Sequence, residues 1–174
     1  MPRYLLLVLL TWYIPSAAQD AVTTIILVRH AEKDTAQIDP ALSPAGVNRV
    51  RDLETVLAKT KIDAILSTQY RRTYDTVEPL AKSRGLQVQI VMRDPTAPLS
   101  KHIDEVVQKI MNGHVGKTVL VSSHSNIIPE IIKKLGVSET VTIDERIYDD
   151  LFVVTRSRSG AVSLLRLKYG TPTP

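Results

Sequence analysis

The chain has 174 residues, no cysteine and a formal charge of +4. This length holds one domain with a real hydrophobic core. The missing cysteines exclude disulfides, thiol chemistry and a lipidated-cysteine anchor, and the scattered Lys and Arg form no basic run of the kind nucleic acids need. In chain order, Arg3 gives a short basic lead, and residues 4–14 are apolar but for Thr11. That stretch is too short to span a bilayer and has the length of a signal h-region. Pro15 breaks it, and Ser16-Ala17-Ala18 offers the small residues a signal peptidase reads. Residues 1–18 are expected to be a cleaved signal peptide, with Gln19 opening the mature chain; an uncleaved anchor or a buried N-terminal helix is the other reading. Cleavage would leave a periplasmic or secreted protein with no stable membrane anchor. The domain is then expected over residues 19–170, with residues 171–174 a flexible tail.

Residues 23–28 are a continuous aliphatic run with β-branched members, as in a strand buried on both faces. Ser43 is a good N-cap and Pro44 suits the first helical position, and Val47, Val50, Leu53 and Leu57 recur at helical spacing. Residues 62–66 read as a second strand. Residues 71–84 read as a helix stopped by Gly85. Leu86, Val88 and Ile90 alternate with Gln87 and Gln89, which predicts a strand with one drier face. After a loop at residues 94–98, Ile103, Val106, Val107, Ile110 and Met111 mark an amphipathic helix. Residues 118–121 are a third buried strand, leading through Ser122-Ser123-His124-Ser125-Asn126 to a helix closed by Gly136. Residues 151–155 and 161–167 read as an edge hairpin. The alternation predicts a three-layer α/β/α sandwich, mostly parallel, with that hairpin antiparallel.

Right-handed crossovers place the strand-to-helix loops at one end of such a sheet. The segments after the three aliphatic strands therefore converge, carrying Arg29 and His30, Arg72, and His124. His102 and His114, beside a helix start and in a turn, are expected to face solvent. Two histidines with Asp94 or Glu32 are a conceivable zinc set, but Arg29 and Arg72 would repel a cation. No metal and no cofactor are expected.

The motifs also resemble a known family. Leu27-Val28-Arg29-His30-Ala31-Glu32-Lys33 resembles the opening signature of the histidine phosphatase superfamily, the phosphoglycerate-mutase-like proteins, with Ala31 in place of the usual glycine. Leu42-Ser43-Pro44-Ala45-Gly46 is similar to the family's Leu-Ser-x-x-Gly helix start. Thr68-Gln69-Tyr70-Arg71-Arg72-Thr73-Tyr74-Asp75-Thr76 is similar to Ser-Pro-Leu-x-Arg-Ala-x-Gln-Thr, which selects Arg72 over Arg71. Residues 119–126 resemble the strand ending in Gly-His-Ser-Asn, with Ser123 for the glycine. The likeness runs over residues 23–155 and is closest to the short bacterial exported branch.

The resemblance implies a phosphomonoester hydrolase. His30 would become a phosphohistidine, and Arg29, Arg72 and a protonated His124 would hold the phosphoryl oxygens, helped by N–H groups at Ser125 and Asn126. Lys33 would contact a substrate anion. Asp94 is the expected general acid, with Glu32 second. The partner implied is a small-molecule or cell-envelope phosphoester, not nucleic acid. Two other readings remain: a non-catalytic phosphate-binding domain, and a phosphohistidine protein phosphatase, which the expected export disfavours.

Overall fold

The computed structural model describes residues 21–35 and 38–173. The expected signal segment lies outside them. Among the described residues no helix is long and apolar enough to cross a membrane.

Six strands form one sheet: β1 (Val22–Arg29), β2 (Ala64–Ser67), β3 (Val88–Ile90), β4 (Thr118–Ser123), β5 (Asp150–Ser157) and β6 (Val162–Lys168), in the order β3-β2-β4-β1-β5-β6. The first four strands in that order are parallel, and β5 and β6 add an antiparallel hairpin at the β1 edge. The helices are α1 (Pro44–Val56), α2 (Arg71–Ser83), α3 (Leu99–Gly113) and α4 (Ile128–Lys134).

The period of two along β1 sends its side chains to two cores. Ile25 and Leu27 pack with α3 and α4 residues such as Ile103, Ile110 and Ile131. Ile26 and Val28 pack with Leu53 of α1 and Val77 and Leu80 of α2. This is the three-layer sandwich expected. It also means that the helices following the neighbouring strands β1 and β4 leave to opposite faces, and the crevice between such strand ends is where open α/β sheets bind ligands.

Two local features shape that crevice. Ser43 caps α1 by accepting the Gly46 N–H at 3.2 Å, as its position predicts. Gly46 is required by proximity: a Cβ there would fall 2.1 Å from the Glu32 carbonyl oxygen, so only glycine lets α1 press against the backbone just after His30. Buried Arg49 of α1 then holds the Glu32 carboxylate through Nε and Nη2 at 2.7–2.9 Å. The same guanidinium donates to the carbonyls of Tyr169 and Thr171.

Several expectations need correction. β3 is a three-residue edge strand without a drier face: Val88 is half-buried, Ile90 is exposed, and Val91 beyond it carries the burial. His102 is buried, not solvent-facing, with Nδ1 3.2 Å from the Met92 carbonyl. Its spacing shows why: His102, Val106 and Ile110 recur every four residues and share the inward face of α3. His114, by contrast, is partly exposed in its turn. The C-terminal tail buries little, but the Thr173 hydroxyl donates to buried Asp149 at 2.6 Å.

Candidate active site

The carboxyl ends of β1 and β4 and the start of α2 meet in a cleft of about 360 Å³ lined by Arg29, His30, Arg72 and His124. Ser125, Asn126 and Lys33 line it too. Every strand-end residue predicted to converge does so. The two imidazole centroids are 5.5 Å apart at 65°.

His30 is fixed by its backbone and its ring. Its N–H donates to the Ser123 carbonyl at 2.9 Å, and Nδ1 lies 2.8 Å from the Ala31 carbonyl oxygen. A carbonyl can only accept, so Nδ1 carries the proton and Nε2 keeps its lone pair. Burial, reinforced by Arg29, Arg72 and Lys33, pulls the His30 pKa down to about 4, against the opposing pull of the Ala31 carbonyl. At neutral pH this is an uncharged imidazole with a free Nε2.

His124 departs from expectation in its charge. Burial first, then His30 and Arg72, bring it to about 3, so it is neutral rather than protonated before an anion arrives. Its Nε2 lies 3.3 Å from Thr68 Oγ1, which lies 2.6 Å from Thr73 Oγ1, and the Thr73 hydroxyl donates to the Tyr70 carbonyl at 2.7 Å. That terminal acceptor sets the direction of the relay: Thr68 donates to Thr73 and accepts from His124 Nε2–H.

The two arginines have structural commitments as well. Arg29 Nη1 donates to the carbonyls of Asp144, Glu145 and Ile147 at 3.3, 2.5 and 3.0 Å, tying down the loop before β5. Arg72 Nη1 is 3.5 Å from Asp39 Oδ1. Yet the Nε atoms of Arg29 and Arg72 are both buried donors without a hydrogen-bond partner among the described residues. Buried donors are rarely left unpaired, and two on the guanidiniums of one cleft fit an anion such as a phosphoryl group.

Two tyrosines that carried no recognisable signal bracket this set. Tyr148 lies 4.0 Å beneath the Arg29 guanidinium and edge-on to His30 at 5.9 Å. Tyr70 lies 4.7 Å from the Arg72 guanidinium and edge-on to His124 at 5.4 Å. Each Arg–His pair is thus held against one aromatic ring.

Asp94 is not brought into the cleft. Its exposed carboxylate accepts from the backbone N–H and hydroxyl of Thr96, the usual role of an Asp before a turn, and these bonds hold it below the ordinary carboxylate range. Glu32, the second candidate, is taken by Arg49. The carboxylate-bearing residue that lines the cleft is Glu145, and Arg93, adjoining Asp94, lines it too. α4 is only two turns long and begins at Ile128, so Ser125 and Asn126 lie in the turn before it, with little dipole behind them. Among the described residues no three His, Asp or Glu side chains gather as a metal set.

The depressed histidines carry a stability consequence. Unfolded histidine takes up its proton near pH 6.5, whereas His30 and His124 resist until about 4 and 3. Below pH 6.5 the unfolded chain therefore binds more protons than the folded one, and stability falls as pH drops towards 4. Buried His102, also depressed by burial, adds to the slope. The expected result is a Tm that declines steadily from pH 7 to pH 4.5, with a shallower decline for His30→Gln; equal slopes for the two proteins would contradict the burial of a neutral His30.

Comparison with known proteins agrees with this geometry. The histidine phosphatase superfamily (branch 1) family model matches residues 25–93, which hold both the Arg29-His30 and the Arg72 motifs, so the resemblance to that superfamily stands. A search of curated proteins finds no match. Among solved structures, a mycobacterial glucosyl-3-phosphoglycerate phosphatase is 15% identical, with a TM-score of 0.64 over 86% of this chain and 100% of its own. The protein histidine phosphatase SixA, in complex with tungstate, is 17% identical, with a TM-score of 0.62 over 83% of this chain and 96% of its own. A second mycobacterial hydrolase is 13% identical, with a TM-score of 0.65 over 88% and 92%. These are likenesses of fold.

Proposed function

We propose that the protein is a phosphomonoester hydrolase working through a phosphohistidine on His30. The observation that carries this reading is the Nδ1 contact with Ala31, which leaves a neutral imidazole presenting Nε2 to a cleft of two guanidiniums with unpaired donors. Nε2 attacks phosphorus, the ester P–O bond breaks, and the electron pair leaves on the alcohol oxygen, which takes up a proton. Arg29, Arg72 and His124 hold the phosphoryl oxygens and offset the charge that spreads over them in the transition state. Water then attacks phosphorus, the N–P bond breaks, and His30 is restored as inorganic phosphate forms. Splitting one displacement into two in-line steps lets the same cations serve both.

With Asp94 turned away and Glu32 paired, this reading favours esters whose alcohol departs without strong acid assistance. The chemistry is metal-independent, since cations surround the nucleophile where a metal would otherwise sit. The N-terminal segment makes the protein exported and its substrate periplasmic or extracellular.

The test is turnover of para-nitrophenyl phosphate with and without EDTA. Phosphate release unaffected by EDTA is expected. No turnover, with orthovanadate bound normally, would leave a phosphate-binding domain instead; loss in EDTA restored by zinc would replace the metal-free chemistry.

A further inference from the structure

Arg93 enters the cleft from the loop between β3 and α3, apart from the strand ends that hold the phosphoryl site. Its backbone is fixed at two points by one side chain: Gln69 Nε2 donates to the Arg93 carbonyl at 2.8 Å, and Arg93 N–H donates to Gln69 Oε1 at 2.8 Å. Gln69 stands three residues before Arg72, so both arginines are referenced to one short segment. Among the described residues one hydrogen bond engages the Arg93 guanidinium, from Nη1 to the Ala97 carbonyl at 3.2 Å. Among the described residues it has no ion pair, because the neighbouring Asp94 carboxylate is turned onto Thr96. The cations acting on His30 are Arg29, Arg72 and Lys33. The cleft therefore holds a third guanidinium, Arg93, on a different segment from Arg29 and Arg72, with exposed Lys33 and Glu145 lining the same opening.

We propose that Arg93, clipped by Gln69, recognises a second anionic group on the alcohol portion of the substrate, so that the protein prefers phosphomonoesters bearing a carboxylate or a further phosphate. This rests on the hydrolase reading above. A guanidinium meets either group with paired N–H donors, and the clip removes the loop's freedom that such a contact would otherwise have to overcome.

The test is a three-member series: 3-hydroxypropyl phosphate, its carboxylate analogue 3-(phosphonooxy)propanoate, and propane-1,3-diyl bisphosphate. Each charged compound is expected to exceed the hydroxypropyl ester in kcat/KM by about ten-fold, mostly through KM, as one charge-assisted contact allows. Arg93→Gln should bring that ratio close to one. Gln69→Ala should lower it in part, and Arg93→Lys should restore some of it. A wild-type ratio near one, or a ratio that Arg93→Gln does not move, overturns the inference while leaving the hydrolase intact. Calorimetric Kd values for the same series separate the two claims. A charge preference in binding that depends on Arg93, without any turnover, would sink the hydrolase and keep the second-anion site.

Discussion

Replacing His30 by alanine is expected to lower kcat for para-nitrophenyl phosphate by at least about a thousand-fold, the scale seen when a covalent nucleophile is removed. Phosphate or vanadate affinity should change by only a few-fold, because Arg29, Arg72 and His124 stay in the cleft. The split between turnover and binding is the informative part. A histidine that merely held the anion would lose both together, whereas a nucleophile appears in kcat alone. The buried ring also fills space, at 3% exposure, so His30→Gln should be measured beside it; it keeps more of the volume and should be equally inactive. Rapid quench of the wild-type protein should trap phosphate in an acid-labile, alkali-stable linkage that neither variant forms. Wild-type turnover in His30→Gln would remove His30 from the chemistry.

The same residue shows why part of the site was legible in the sequence. β1 is buried on both faces from Ile25 to Val28, so that stretch has no polar interruption, and Arg29-His30 falls where it stops. β4 and His124 follow the same logic. What the sequence concealed depends on side-chain direction in irregular segments. Asp94 and Arg93 are adjacent, and which one faces the cleft is decided by Thr96 drawing the aspartate back and Gln69 clipping the arginine backbone, contacts with no periodic signature. Tyr148 and Glu145 lie in a loop placed by its carbonyls meeting Arg29, over a hundred residues earlier, and by the Tyr148 N–H meeting Thr173 Oγ1. His102 was readable from its four-residue spacing to Val106 and Ile110.

Departures from the family pattern are informative in another way. Relative to Ser-Pro-Leu-x-Arg-Ala-x-Gln-Thr, this chain has Gln69, Tyr70 and Thr73. Each builds the cleft: Gln69 clips Arg93, Tyr70 braces Arg72 and His124, and Thr73 carries the hydrogen-bond relay from His124 and Thr68 on to the Tyr70 carbonyl. The final Thr76, which matches the pattern, accepts the Ala31 N–H at 2.9 Å and so anchors α2 to the peptide after His30. The segment carries one cleft-lining arginine and also the contacts that set its geometry.

Arg72→Lys is the second large effect expected, a fall of about a hundred-fold in kcat/KM with little change in Tm. Three features of Arg72 argue that charge alone is not what this position supplies. Its guanidinium plane lies against Tyr70 at 4.7 Å, Nη1 reaches Asp39 at 3.5 Å, and Nε is a buried donor without a partner among the described residues. A planar fork can keep one edge on Asp39 and offer another to a phosphoryl oxygen, whereas an ammonium is a single point of charge that must choose. The Asp39 pair is partly exposed and adds little to stability, so the loss should fall on catalysis. Arg71→Lys is the control. Its side chain is more than half exposed and reaches Asp75 at 3.3 Å on the helix surface, so a lysine there should keep near-normal turnover. The reverse outcome, an active Arg72→Lys beside a crippled Arg71→Lys, would move the phosphoryl contact one residue back and take the Tyr70 brace with it.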